Sequence, residues 1–311
     1  MKVPRRHPRL CLLFSLFLSG LFLARDAIAS GDSGEPISWP QIQEMPPPPA
    51  GKRLRYGPEP AQFGELRVPA DGNGPYPVLM LLHGGCWLAQ FGLDYFEHLA
   101  AALTRELKVA TWNLEYRRLG NSGGGWPGTF RDAATAADHL KIISDEYALD
   151  TESVIGLGHS AGGHLALWLA GRGQLEASNE LYVERPQALQ AVVGLAAIGD
   201  LAGYGDLPGG CNAVVSELMG GDAKQQHQRY QQGSPLALLP LGIPQWLIQG
   251  EHNGIVPPAL ARRYVNKAKD AGDRASLIEI PGAGHFDPAI PGSMAWAEVK
   301  KAVQAALSPD R

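Results

Sequence analysis

The chain is 311 residues long, 45% hydrophobic and 19% charged, which is ample for one large buried core. Lys2, Arg5, Arg6, Arg9, Arg25 and Asp26 all lie within the first 29 residues, so of the 27 basic and 31 acidic residues the remainder keeps an excess of acid, net −8. That balance argues against nucleic-acid binding and against a stable partnership with an anionic membrane, and the chain has no basic stripe, no repeat and no phosphate-binding P-loop.

Met1 to Leu10 is basic, Cys11 to Ala24 is apolar, and Ala27-Ile28-Ala29 is a run of small residues. This is the pattern of a secretory signal peptide cut after Ala29, which places the protein in the periplasm or outside the cell. An apolar run of 14 residues is short for a span, which takes about 20. Cys11 precedes the apolar run and is not placed as a lipoprotein cysteine. Residues 30–51, with Met45-Pro46-Pro47-Pro48-Pro49, read as an extended surface arm ahead of one domain over 52–311. Lys52 to Arg67 reads as one or two antiparallel edge strands.

From there strands and helices alternate: strand 77–82, helix 92–106, strand 108–113, helix 130–146, strand 153–157, helix 161–171 and strand 189–196. The Gly- and Pro-rich stretch 199–240 breaks the alternation, carries a short helix from Ala213 to Met219 and reads as a small cap. Strand 245–249, helix 257–271, strand 275–280 and helix 293–307 complete the chain. Alternation of this kind predicts an α/β fold, a mostly parallel central sheet with helices on both faces. Tyr95, Leu99 and Leu103 recur at four-residue spacing, as do Val299 and Val303, and mark core-facing helix sides.

Three segments carry chemistry. Gly158-His159-Ser160-Ala161-Gly162 lies between a strand and a helix, the setting of a nucleophile elbow that exposes Ser160 on a strained turn. His83-Gly84-Gly85-Cys86-Trp87 follows the apolar strand Pro77 to Leu82, and its bare backbone suits an oxyanion, with the N–H groups of Gly84, Gly85 and Ala161 as donors. Pro281-Gly282-Ala283-Gly284-His285-Phe286 follows the last strand and supplies His285 as general base. His159 and His164 share no helix face with other ligand types and read as structural, so no metal site is expected.

With these segments, and with Tyr56-Gly57-Pro58, Gln62-Phe63-Gly64, Glu115-Tyr116-Arg117-Arg118, Gly125 to Phe130, Pro291-Gly292-Ser293 and Trp296, the chain resembles the HGGxW branch of the α/β-hydrolases. That branch holds bacterial esterases and kynurenine-formamidase-like enzymes. The resemblance implies the α/β-hydrolase fold and a cofactor-free hydrolase of small carboxylic esters working through an acyl-enzyme. The alternatives are an aryl-formamidase and an impaired protein that binds its ligand without cleaving it. Trp87, Trp126 and Phe286 are the expected walls of the substrate pocket.

The sequence departs from that family at one position. Where G-x-x-D-x-x-V-P is expected, it reads Gly250-Glu251-His252-Asn253-Gly254-Ile255-Val256-Pro257. An amide can accept a hydrogen bond from the imidazole, but it offsets no charge and allows the wrong tautomer. Asp200, after the apolar run Ala191 to Ile198, is the expected replacement acid, ahead of Glu251. Cys86 and Cys211 remain after the leader, and either a disulfide between them or two buried thiols is compatible with export.

Overall fold

The computed structural model describes residues 34–308, and the expected leader lies outside them. Eight strands form one sheet in the order β1 (Lys52–Arg55), β2 (Phe63–Arg67), β4 (Ala110–Leu114), β3 (Tyr76–Leu82), β5 (Leu149–His159), β6 (Ala191–Leu195), β7 (Gln245–Gly250) and β8 (Ala275–Ile280). β1 and β2 are antiparallel at one edge, and the six others run parallel. A parallel sheet needs cover on both faces, which is why β3 is apolar without alternation. Val78, Met80 and Leu82 point into one core, with Trp112, Phe130, Leu165 and Trp168. Leu79 and Leu81 point into the other, with Phe96, Leu99, Val299 and Val303.

The helices are α2 (Glu97–Leu107), α3 (Gly128–Asp138), α4 (Leu140–Tyr147), α5 (Ala161–Gly171), α9 (Pro258–Asp270) and α10 (Trp296–Leu307), with four shorter ones described below. The single helix expected over 130–146 is two, joined at His139. There the N–H groups of Ile142 and Ile143 both turn to the His139 carbonyl, and the His139 ring stacks on Trp112. β5 begins earlier than expected because Leu149 and Asp150 pair with Tyr76 and Pro77 before the register shifts.

Two stretches differ from the sequence reading. The arm is not extended throughout: Trp39–Gln43 forms a short helix, α1, whose entry is held by Ser38 N–H and Oγ–H donating to Gln41 Oε1 at 2.8 and 2.7 Å. It buries Ile42 in the core between the sheet and α2. The stretch 199–240 holds three helices in place of one: α6 (Leu201–Gly205), α7 (Val214–Met219) and α8 (His227–Gly233). It packs over the loop before α3, where Trp126 N–H donates to the Leu218 carbonyl at 2.7 Å.

Cys86 and Cys211 form a disulfide, with their Cα atoms 5.3 Å apart and 125 residues between them in sequence. It ties the loop after β3 to the stretch over it. Closing so long a loop removes much of the unfolded chain's freedom, a contribution of about 2–5 kcal/mol. Cys211→Ser is therefore expected to lower the urea unfolding midpoint, and a reductant should lower the wild type to the same value while leaving the variant where it is.

Candidate active site

The candidate side chains sit where the parallel strands end. β3 leads into His83-Gly84-Gly85, β5 into Ser160, β7 into Asn253 and β8 into His285. All four ends lie at the carboxyl edge of the sheet, where open α/β sheets form their sites. At Ser160 the chain turns from β5 into α5 with φ 55° and ψ −118°, strained for a residue with a Cβ. The turn is this tight because the neighbouring backbones almost touch. A Cβ on Gly158 would run into the Gly162 carbonyl, and one on Gly162 into those of Leu82 and His83. Ser160 N–H donates to the Leu195 carbonyl at 2.9 Å, fixing the elbow to β6.

The His285 loop is fastened to both neighbours. His252 N–H donates to the Ala283 carbonyl at 2.8 Å, and His159 Nε2 lies 3.0 Å from the His285 carbonyl. The His159 and His285 rings stand 4.6 Å apart, which brings the expected base beside the residue preceding the expected nucleophile. Ser160 is 3% and His285 8% exposed, so charge that develops here does so away from bulk water.

His285 Nδ1 lies 3.0 Å from Asn253 Oδ1. The same oxygen accepts the N–H groups of Ile255 at 3.0 Å and Val256 at 2.9 Å. Two backbone donors decide which end of the amide faces them, so Oδ1, not Nδ2, meets the imidazole. Nδ1 must then carry the proton, and Nε2 is bare. The freedom of tautomer expected from the sequence is thus removed by the Asn253 turn. What is missing is charge: burial, and then His159, push His285 well below its ordinary value of 6.5.

Asp200, the expected acid, is not bonded to His285. Its Oδ1 accepts Gly203 N–H at 3.0 Å and caps α6, and its Oδ2 pairs with Arg263 Nη1 at 3.4 Å. Position 200 follows β6, but the chain turns there into α6 and uses the carboxylate as the cap. Glu251 is exposed and accepts Gly282 N–H at 2.9 Å, bracing the turn between β7 and the base loop from outside.

The oxyanion loop also needs a correction. Gly84 N–H donates to Tyr95 Oη at 2.7 Å and is not open to a substrate. The N–H groups of Gly85, Cys86 and Ala161 have no partner among the described residues. A Cβ on Gly84 would lie 3.0 Å from Ser160 Cβ, so the loop abuts the elbow. Gly85 and Cys86 both take positive φ, 105° and 54°, which turns this loop sharply after β3.

Of the expected pocket walls, Trp126 is half-buried with its indole N–H on Glu180 Oε1 at 2.9 Å. Phe286 is half-buried and lies 5.1 Å from the His285 ring. Trp87 is wholly buried edge-on to His164, 5.4 Å away, so it is a core side chain behind the loop rather than an open wall. The sequence reading missed Trp39 and gave Tyr95 only a packing role. Trp39 reaches from the arm to the rings of Phe91, Tyr95 and Phe286, at 5.5, 5.6 and 5.7 Å. Its only sequence signal is that it is the one aromatic residue in a Pro-rich arm. Among the described residues no group of three or more His, Cys, Asp and Glu is placed to hold a metal.

Residues 65–267 match the BD-FAE family. Esterase LipC of Mycobacterium tuberculosis (strain ATCC 25618 / H37Rv) is 26% identical over 280 residues, 81% of this chain and 66% of that protein. The chain thus spans just under two thirds of this curated relative. Among solved structures, a truncated carbohydrate esterase from gut microbiota superposes with a TM-score of 0.69 at 18% identity, over 86% of this chain and 97% of that one. Thermogutta terrifontis esterase 2 phosphonylated by sarin does so with 0.68 at 19% identity, over 88% and 98%.

The buried histidines make stability depend on pH. Burial pushes His159 and His164 down to about 4. Unfolded, each titrates near 6.5, so between pH 6.5 and 4 the unfolded chain binds more protons, and stability is lost as pH falls through that window, by about 3 kcal/mol per histidine. His164→Gln removes one of the two. The urea midpoint of this variant is expected to fall less between pH 7.5 and pH 4.5 than that of the wild type.

Proposed function

Because the chain belongs to the BD-FAE family and has the α/β-hydrolase fold, we propose that it is a serine hydrolase of small carboxylic esters, exported after cleavage near Ala29. Ser160 Oγ attacks the ester carbonyl. His285 Nε2 takes the serine proton and returns it to the leaving alcohol. The N–H groups of Gly85 and Ala161, with Cys86 beside them, hold the oxyanion. Water then attacks the acyl-enzyme with His285 as base again. The observation that carries this reading is the Asn253 turn, because it leaves Nε2 unprotonated on a His285 whose ring stands 4.6 Å from that of His159, the residue before the strained serine.

The names of similar proteins support the same class: LipC is an esterase, the gut protein a carbohydrate esterase, and the Thermogutta enzyme takes a phosphonyl group from sarin. The Cys86–Cys211 disulfide supports an oxidising compartment. The reading is tested with purified protein lacking residues 1–29, short-chain p-nitrophenyl esters and no added metal. Hydrolysis is expected, a fluorophosphonate should label Ser160 on mass mapping, and Ser160→Ala should cost on the order of a thousandfold or more. Labelling elsewhere, or unchanged turnover in Ser160→Ala, overturns the assignment.

Asn253 accounts for orientation without charge, and this predicts how the rate responds to pH. Because His285 lies well below 6.5, the acid limb of kcat/KM should fall below that pH in the wild type. Asn253→Asp adds a carboxylate facing the imidazolium. It should raise His285 and move the acid limb to higher pH, with a gain in the plateau of up to about a hundredfold. Asp200→Asn should leave the limb in place, keep an oxygen to cap α6 and lose only the ion pair with Arg263, at no more than about 1 kcal/mol.

A further inference from the structure

We infer that Tyr95 and His159 are positioning residues for this site, joining the oxyanion loop to the base loop by one unbroken line of hydrogen bonds; the inference rests on the serine-hydrolase reading. Gly84 N–H lies 2.7 Å from Tyr95 Oη, Tyr95 Oη lies 2.8 Å from His159 Nδ1, and His159 Nε2 lies 3.0 Å from the His285 carbonyl. Both side chains are more than nine-tenths buried.

The direction of every bond in the line is determined. A carbonyl only accepts, so His159 Nε2 carries a proton. Burial keeps the ring neutral, so Nδ1 is bare and must accept the Tyr95 O–H. The tyrosine oxygen then offers a lone pair to Gly84 N–H. Reversing any one bond would set donor against donor or acceptor against acceptor, and in a dry interior that is costly.

The line has consequences at both ends. By holding Gly84 N–H, Tyr95 sets the peptide from which Gly85 and Cys86 turn, and so the direction of the next N–H groups. By holding the His285 carbonyl, His159 sets the backbone from which the base projects. Ser160 follows His159 directly, so nucleophile, base and oxyanion donors are referred to one imidazole. Tyr95 is fixed on two sides, by Trp39 at 5.6 Å and Phe96 at 5.4 Å between ring centres. Its hydroxyl therefore cannot swing away without disturbing both. Among the described residues the groups facing His159 are Tyr95, His285, Phe96 and Phe286, with His83 near enough to act on it, and no carboxylate is among its bonded partners.

The test uses Tyr95→Phe, His159→Leu, the double variant and His159→Gln, with p-nitrophenyl butyrate turnover, fluorophosphonate labelling rate, urea midpoint and imidazole ¹⁵N NMR. Tyr95→Phe removes one oxygen and keeps the packing. Each of Tyr95→Phe and His159→Leu is expected to lower kcat by about ten- to a hundredfold with KM within about threefold, and to slow labelling equally. Cutting a single line twice should cost little more than cutting it once, so the double variant should match the worse single. His159→Gln keeps an acceptor and a donor and should recover most of the rate.

The inference is overturned if Tyr95→Phe stays within twofold of wild-type kcat, if the loss appears only in KM, or if the two single effects multiply in the double variant. Loss of both turnover and labelling in the wild type would instead overturn the hydrolase reading. The ¹⁵N spectrum does not depend on turnover: the wild type should show His159 protonated at Nε2, and Tyr95→Phe should shift the His285 signals. Unshifted His285 signals would overturn the link between the loops whatever the protein hydrolyses.

Discussion

The close approach of α5 to the ends of β3 and β5 is the constraint on which the rest depends. Where Gly158, Gly162 and the Leu82 and His83 carbonyls meet there is no space for a side chain, so the helix begins immediately after the strand. Ser160 is left at φ 55° on the turn between them. A strained residue of this kind costs about 1–3 kcal/mol and persists only because the parallel register around it is over-determined. In that register Gly158 faces Leu82 on one side and Gly194 on the other, and His159 faces Leu195. Three strand ends are thereby brought level, and the loops that leave them are forced into one another's company.

At His285, the proposed base, the division of labour is between geometry and charge. Asn253 does what a carboxylate would do for direction. Its oxygen is pinned by Ile255 and Val256 N–H, and the pinned oxygen selects the tautomer of His285. It does none of what a carboxylate would do for an imidazolium. Its other amide end, Nδ2, is buried without a partner among the described residues, a cost that an oxygen there would not incur in the same form. The site is therefore well oriented and electrostatically lean, and His285 stays neutral at pH values where a carboxylate-supported histidine would begin to charge.

The surroundings close the site from segments distant in sequence. The disulfide holds the stretch containing α6, α7 and α8 against the loop after β3. The arm reaches the opposite side, where Ile37 N–H and Gly284 N–H share Asp287 Oδ2 at 3.2 and 2.8 Å, and Trp39 lies against Phe286. Nothing in the local pattern of residues 34–51 announces this. It follows from apolar surface on the base loop that the sheet and its helices leave uncovered.

Sequence by itself determined the alternation of strands and helices, because a sheet covered on both faces demands apolar strands and amphipathic helices whatever the connections are. It also determined the elbow, because Gly158 and Gly162 are a steric requirement written in residue type. It did not determine what depends on the direction of a side chain at a loop. Asp200 and Asn253 both follow strand ends, and only the fold decides that one caps α6 while the other meets His285. Gly84 and Gly85 are equally bare, and only the placement of Tyr95 decides that the first N–H is taken. His159 and Tyr95 read as ordinary core residues because hydrogen bonds spanning 64 and 126 residues leave no local period. Periodicity reports which face of an element is buried; which polar atoms meet in that burial is settled only when the elements pack.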